Sequence, residues 1–473
     1  MSPFELPVAG ATVVGVGRHG AENGALPPPL NPRGPGVVPL ALALLSTALI
    51  LGPRGVAQAQ GLGLQWGRGT RVALGEEGSL RLTGFARPWF RLAEPNPRTE
   101  LGEATGDDLA VDAGLREARL LLLAAPLPEL TIALGAGALD LGPDGGGTLG
   151  LTDAWVDAEV VPGLHLGAGL HPFAGLLREA SVGDQAPLGL EPLGLARPFR
   201  EATTDAFDRR LGAFVHGAAG PVVYRLAGNR AFRPERDRED RLPGAARLAE
   251  DGQPWWLEGR LAFRPTGPEP DVTPYVPGSW LGTAQVIELG VGGALHPNGA
   301  LREAPGTEET SRSDVWLVAV DAFVDQPLAG GAALTAYAAY LYEDLGPDAL
   351  RFQGALDRGQ GGVLPSGPGF GALVAGTGHH TALTLGVLLP GRVLGTRFQP
   401  WVKATVSVVE AVDDPVPGAE AGVTWLVLEP FLRLDLAWRM RGTVDATGGM
   451  GTPRSARVRG YAHAGVLQLI ASF

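Results

Sequence analysis

Cysteine is absent from the 473 residues, so neither a disulfide framework nor a thiolate metal site can hold this chain together. Lysine occurs once, at Lys403, and every other fixed positive side chain is arginine. The formal net charge of −12 excludes the basic surface that a nucleic-acid partner requires. Charged residues make up only 19% of the chain and aromatics 7%. Beyond residue 60 the apolar segments are short. None offers the roughly 18 apolar residues of a membrane-crossing helix, which excludes a helical membrane bundle.

Glycine and proline are plentiful instead, at 71 and 41 residues, beside a 45% hydrophobic share. That mixture argues for many strands and turns rather than helices. The N-terminus reads differently. Residues 37–51, VVPLALALLSTALIL, form a short apolar run interrupted by Pro39. Arg33 lies upstream; Gly52-Pro53 and then Ala57-Gln58-Ala59 follow. A run of this length ahead of a small-x-small site is a secretory signal cleaved after Ala59. The chain therefore divides into an N-terminal extension with signal peptide, 1–59, and one domain, 60–473. The Gly/Pro-rich first 35 residues are long for a signal; one hypothesis is that translation begins downstream of Met1 at a non-Met codon, and peptides from residues 2–30 of the precursor would sink it.

After residue 60 the side chains alternate. Leu432, Leu434, Leu436, Trp438 and Met440 interleave with Arg433, Asp435, Ala437 and Arg439. A helix, with its period of 3.6, would mix these sets; a strand sends them to opposite faces. Trp255, Leu257, Gly259, Leu261 and Phe263 alternate in the same way with Trp256, Glu258, Arg260, Ala262 and Arg264. So do Thr152, Ala154, Val156, Ala158 and Val160 with Asp153, Trp155, Asp157 and Glu159. Sixteen strands are expected, near 79–91, 112–125, 128–141, 148–161, 162–171, 208–218, 221–233, 254–266, 283–296, 313–328, 330–343, 378–390, 397–410, 417–429, 430–442 and 457–473. Tight turns such as Pro162-Gly163, Gly220-Pro221 and Pro390-Gly391 alternate with long polar stretches such as 178–207 and 344–377. Short turns at one end and long loops at the other are the two rims of a barrel.

The final strand carries Tyr461, His463, Gly465, Leu467, Leu469, Ala471 and Phe473 on one face. Periodicity alone does not say whether such a face meets a core or lipid. The secretion signal, the number of strands and the aromatics toward strand ends (Trp89, Phe90, Phe173, Trp255, Phe263, Tyr340, Phe398, Tyr461) decide for lipid. The fold expected is all-β: a transmembrane antiparallel β-barrel of about 16 strands in the bacterial outer membrane. The terminal Phe473 resembles the end of bacterial outer-membrane barrels, which implies recognition by the barrel-assembly machinery.

A family resemblance follows from patterns in a fixed order. They are LREARLL (115–121), LTDAWVDAEVVPGLHLGAGLHPF (151–173), LGAFVHGAAGPVVYRLAGN (211–229), VWLVAVDAFVDQPLAGGAALTAYAAYLYE (315–343) and RFQPWVK (397–403). Together they resemble the phosphate-selective porin O/P family over nearly all of 79–473. The resemblance implies a 16-stranded barrel, a homotrimer, and a water-filled channel for passive diffusion of small hydrophilic solutes or ions.

One departure bears on selectivity. Phosphate-selecting members line the pore with an arginine ladder and lysine clusters, whereas lysine is nearly missing here. By parity the lumen face carries both signs. The pore-lining candidates are Arg81, Arg87, Arg119, Arg260, Arg397, Lys403, Arg433 and Arg439 with Glu117, Asp153, Asp157, Asp321 and Asp435. Opposed charges order water and screen solutes by size and dipole without creating a dedicated anion site. Weak selectivity is therefore expected. A non-conducting structural or adhesive barrel, plugged by 178–207 or 344–377, is the competing reading, and an anion- or phosphate-selective channel a third. No Gly-x-Ser-x-Gly elbow or His-Glu-x-x-His motif occurs. The scattered histidines read as structural, and no catalytic residue, metal site or cofactor is expected. Gly142–Gly147 and Gly183–Gln185 carry too few carboxylates for a calcium loop.

Overall fold

The computed structural model describes residues 62–64, 69–75, 77–96, 109–141, 148–173, 175–183, 187–190, 209–231, 244–249, 254–267, 269, 275–303, 309–354, 371–429, 431–447 and 455–473. The expected signal segment, its expected cleavage site and the loop 142–147 lie outside these residues, as do residues 184–186.

Sixteen strands form a closed antiparallel barrel. They are β1 (Gly78–Ala93), β2 (Ala110–Leu127), β3 (Leu130–Leu141), β4 (Thr148–Val161), β5 (Leu164–His171), β6 (Arg210–Ala219), β7 (Val222–Arg230) and β8 (Trp255–Phe263). The second half comprises β9 (Val286–Glu303), β10 (Thr310–Pro327), β11 (Ala333–Asp344), β12 (Gly378–Leu388), β13 (Arg397–Val409), β14 (Val416–Leu428), β15 (Leu432–Thr447) and β16 (Ser455–Ser472). Each strand pairs with the next in sequence. Closure comes from β16 on β1, with Ala464 opposite Ala93 and Ser472 opposite Phe85. Phe473 completes the seam: its N–H donates to the Gly84 carbonyl at 3.0 Å, and its own carbonyl accepts from Thr83 Oγ1 at 2.8 Å. No edge remains to meet lipid unpaired. A short strand, Thr70–Leu74, folds back on the start of β1. The strands Leu350–Gly354 and Gly371–Gly376 pair with each other in a separate two-stranded sheet.

The alternation in the sequence sets the two faces. On β15, Leu436 is 63% exposed and Trp438 exposed, while Arg433, Asp435, Ala437 and Arg439 are buried. On β8, Trp255, Leu257, Leu261 and Phe263 are exposed and Trp256, Glu258, Arg260 and Ala262 buried. Tight turns hold one rim together. Gly163 turns β4 into β5 with φ +80, and a Cβ there would meet the Ala218 carbonyl at 2.6 Å, so no other residue fits.

Among the register shifts in the barrel, two β-bulges alter the parity of expected lumen strands. Arg87 pairs with Glu117 but Pro88 with Leu115, so Arg116 is an extra residue and is buried. Similarly Gly135 pairs with Asp153 but Ala136 with Leu151, so Thr152 is extra. Parity puts Thr152 on the lipid face with Val156; the bulge buries it. Phe173, expected among the rim aromatics, is also buried, stacked on Phe214 at 4.2 Å.

Candidate functional site

The exposed face of the barrel is apolar: Leu289, Val291, Trp316, Val318, Val320, Leu383 and Leu385 among others. The buried face gathers the charge. Among the described residues, twelve Arg and Lys side chains are buried against eleven Asp and Glu, so neither sign dominates the interior. A closed barrel that turns apolar side chains outward and charge inward is an outer-membrane barrel of porin-like architecture.

The segment after β5 folds into this interior. The Gly175 N–H donates to Glu258 Oε2 on β8 at 3.0 Å, and the Arg178 N–H to Asp321 Oδ2 on β10 at 2.5 Å. Further along, Arg433 of β15 donates to the carbonyls of Pro187 (2.5 Å) and Gly189 (3.1 Å). The Leu190 carbonyl accepts from Arg87 of β1 at 2.9 Å and from Gln468 of β16 at 2.7 Å. The segment thus follows the inner wall from β8 round to β1. Apolar packing seats it. Leu176 and Leu177 share a buried cluster with Trp256, Leu317, Phe323 and Leu341, and Leu188 and Leu190 one with Trp401 and Val466. Glycine makes room for it: a Cβ on Gly292 of β9 would lie 2.3 Å from the Leu176 carbonyl.

A second segment enters from the opposite rim. Residues 264–285 join β8 to β9 at the end where the other connections are short. Val276 forms a parallel bridge with Val182, with the Gly183 N–H donating to the Val276 carbonyl at 3.0 Å. Glu269 receives the Arg178 guanidinium and also accepts from Trp280 Nε1 at 3.0 Å. Arg178 continues to Glu288 at 3.2 Å and covers the Phe323 ring at 3.8 Å. Burial opposes the charge on Glu269, but Arg178, aided by Arg264, outweighs it and holds this carboxyl below its usual range. Burial likewise opposes the charge of Arg178, and Glu269 and Glu288 outweigh it, raising its pKa further.

Most of the expected lumen charges are buried on the inner face, and they are paired. Glu117 lies between Arg87, at 3.2 Å, and Arg119. Asp153 meets Arg209 at 3.2 Å, and Arg260 meets both Asp321 and Glu288 at 2.6 Å. Arg433 faces Asp435 at 3.5 Å, and Arg439 binds Glu420. Lys403 sits 5.6 Å from the Trp401 ring centre. Arg397 stands apart, half-buried and bound to Glu429 at the turn after β14. Arg81 is half-buried opposite Arg71, and Asp157 is buried between two histidines.

Several partners escaped sequence reasoning. Glu288 was legible, since Leu289, Val291 and Leu295 alternate with it. Arg116 was hidden by its bulge, and Arg178 and Glu269 sit in connections with no period. The adjacent pair His379-His380 is split by parity. His379 contacts Tyr340 on the outside at 2.7 Å, whereas His380 faces inward, 2.8 Å from Ser407 Oγ and 3.4 Å from Glu343. His380 is fully buried beneath Gly376, whose carbonyl it also meets at 3.2 Å.

No family model and no curated protein matches the sequence. Among solved structures the chain is similar to OprB of Pseudomonas putida, with 10% identity, 83% of this chain and 94% of that one covered, and a TM-score of 0.49. It is similar also to an anion-selective porin from Comamonas acidovorans (13% identity, 84% and 100% covered, TM-score 0.47). The outer membrane channel DcaP of Acinetobacter baumannii aligns at 13% identity, 84% and 98% coverage and a TM-score of 0.45. Likeness at this level does not bear on what the present barrel carries.

Proposed function

We propose that this protein is a porin: a passive diffusion channel for small hydrophilic solutes or ions, narrowed by its inward segments and only weakly selective. The observation that carries the reading is the near-balance of paired charge on the inner wall. Opposed fixed charges offer a solute both a donor and an acceptor surface, and they give an ion of either sign little net preference. The pore-lining candidates act collectively here, with Glu117, Arg119 and Asp153 on the wall of β2 and β4, and Arg87, Arg433, Asp435 and Arg439 along the far end of the seated segment. The ordered motifs shared with the phosphate-selective porin O/P family support a channel of that general kind, while the paired arginines argue against its anion preference.

A homotrimer fits the same reading. Strands β5 to β8 have only 8, 10, 9 and 9 residues. At ~3.3 Å per residue and a ~40° tilt, an eight-residue strand rises only about 20 Å, short of the ~25 Å apolar band. That low wall, with exposed Leu166, Leu211, Leu226 and Leu257, suits cover by neighbouring copies. The N-terminal 59 residues serve as an extension with a cleaved signal, and N-terminal sequencing of the mature protein should begin at Gln60.

Planar-bilayer recording of the folded protein tests the function. Stepwise current and a reversal potential near zero in a KCl gradient are expected. A large anion-directed potential, with current blocked by millimolar phosphate, would replace weak selectivity with a dedicated anion site.

A further inference from the structure

On the inner wall near the rim of short turns, three strands bring together Asp157 (β4), His165 (β5) and His216 (β6). His165 and His216 are direct cross-strand partners. The two oxygens of Asp157 are divided between them: Oδ2 lies 3.1 Å from His165 Nδ1, and Oδ1 lies 3.1 Å from His216 Nε2. The imidazoles are stacked, with centroids 4.6 Å apart and planes 17° from parallel. All three donor atoms fall within 4.8 Å of one another.

This geometry exceeds what a structural hydrogen bond needs. One imidazole suffices to satisfy a carboxylate; here two converge on it from one side. Around a tetrahedral zinc ion with bonds of ~2.0–2.2 Å, donor atoms sit about 3.4 Å apart. Each Asp157 oxygen already lies near that distance from one ring nitrogen, and a set of one oxygen and both nitrogens spans no more than 4.8 Å, so turns of the carboxylate and rings would close it around one ion. Two nitrogens and one oxygen are a donor set for a borderline divalent ion rather than for calcium or magnesium, which take oxygens. The carboxylate is buried while the His165 and His216 side chains remain 28% and 18% exposed, so a bound ion would keep a coordination position open to the lumen. The rings are held from behind: Phe173 stacks on His216 at 4.5 Å and Phe214 lies at 5.9 Å. Such outer contacts fix the orientation of metal-ligating imidazoles. The cation directly across from His216 on β7, Arg225, donates to Ser181 Oγ at 2.6 Å.

We propose that Asp157, His165 and His216 form a binding site for one divalent transition-metal ion of the zinc class on the channel wall. On binding, the ion replaces the two hydrogen bonds between the carboxylate and the rings; each neutral imidazole coordinates through the nitrogen that faces Asp157 and carries its N–H on the other nitrogen. The site is independent of whether the barrel conducts.

The test is isothermal titration of ZnCl2 into the untagged, folded barrel in detergent, with MgCl2 as comparison. One zinc per chain is expected, with no magnesium heat. His165→Ala and His216→Ala should each weaken zinc at least tenfold, and Asp157→Asn should do so as well. His379→Ala, on the outer face, should leave it unchanged. Should Asp157→Asn disturb folding, as judged by heat-modifiable gel mobility, the two histidine variants decide alone. Absence of saturable zinc binding, or binding that survives both histidine variants, would show that the cluster only ties the three strands together.

Discussion

The two walls of the lumen are built on different principles. Under the inward segment, from β8 to β13, the barrel interior resembles a soluble core: Leu176 and Leu177 meet Trp256, Leu317, Phe323 and Leu341, and Arg178 is enclosed by carboxylates and a ring. On β2 and β4 the inner face presents Glu117, Arg119 and Asp153 in charge pairs, joined from β1 by Arg87, which also holds the end of the segment at Leu190. Apolar burial fixes the segment in place, and the charged wall supplies the chemistry a solute meets. A barrel lumen thus need not be uniformly polar; a part given over to packing makes the narrowing rigid.

The largest effect should come from breaking the packed wall. Removing Arg178 (Arg178→Ala) deprives buried Glu269 of its main partner and leaves Glu288 to Arg260 and Arg264, a loss of roughly 3–5 kcal/mol in segment anchoring. Larger single-channel steps with open-state noise are expected in planar bilayers. Leu176→Ala should cost about 2–5 kcal/mol through the cavity it leaves, read as a lower urea midpoint by tryptophan fluorescence. Gly292→Val leaves the charges in place but puts bulk where the segment touches β9; wider openings from this variant would confirm that seating, not charge, sets the bore.

The charged wall should respond more mildly and in a different observable. Glu117→Gln should shift the ion preference toward anions by about two- to fivefold, the scale of one screened charge at contact distance, with unitary conductance nearly unchanged. Acid offers a smaller probe of the packed side. The folded pKa of Glu269 is depressed below its ordinary 4.5, so its stabilising contribution is complete above that value and is lost as pH falls through the folded one. Current noise should therefore increase only in strong acid, and Glu269→Gln should show that noise already at neutral pH.

All sixteen strands were legible because outward apolar residues alternate with polar or small ones at a period of two, as on β8 and β15. The closing strand was legible too, from Tyr461 to Phe473, and it seals against β1 as expected. What the period could not convey is what covers the inner face. Val315, Leu317 and Ala319 alternate with Trp316, Val318 and Val320, so β10 is apolar on both sides. Only the arrival of Leu176 and Leu177, distant in sequence, gives the inner set a reason. Bulges at Arg116 and Thr152 shift parity by one residue without a sequence mark. Residues 264–285 contact the first segment through Val276 and Glu269, a pairing that no local pattern encodes.

The central claim is an open passage narrowed by a seated segment, and one measurement addresses it directly. Single-channel conductance of the native barrel should be recorded side by side with the Arg178→Ala/Leu176→Ala double variant, both confirmed as folded. Small, steady steps are expected from the native protein and distinctly larger ones from the variant. A silent native barrel beside a conducting variant would make the segment a plug and the protein a structural barrel. Identical conductance from both would mean that the segment does not set the bore.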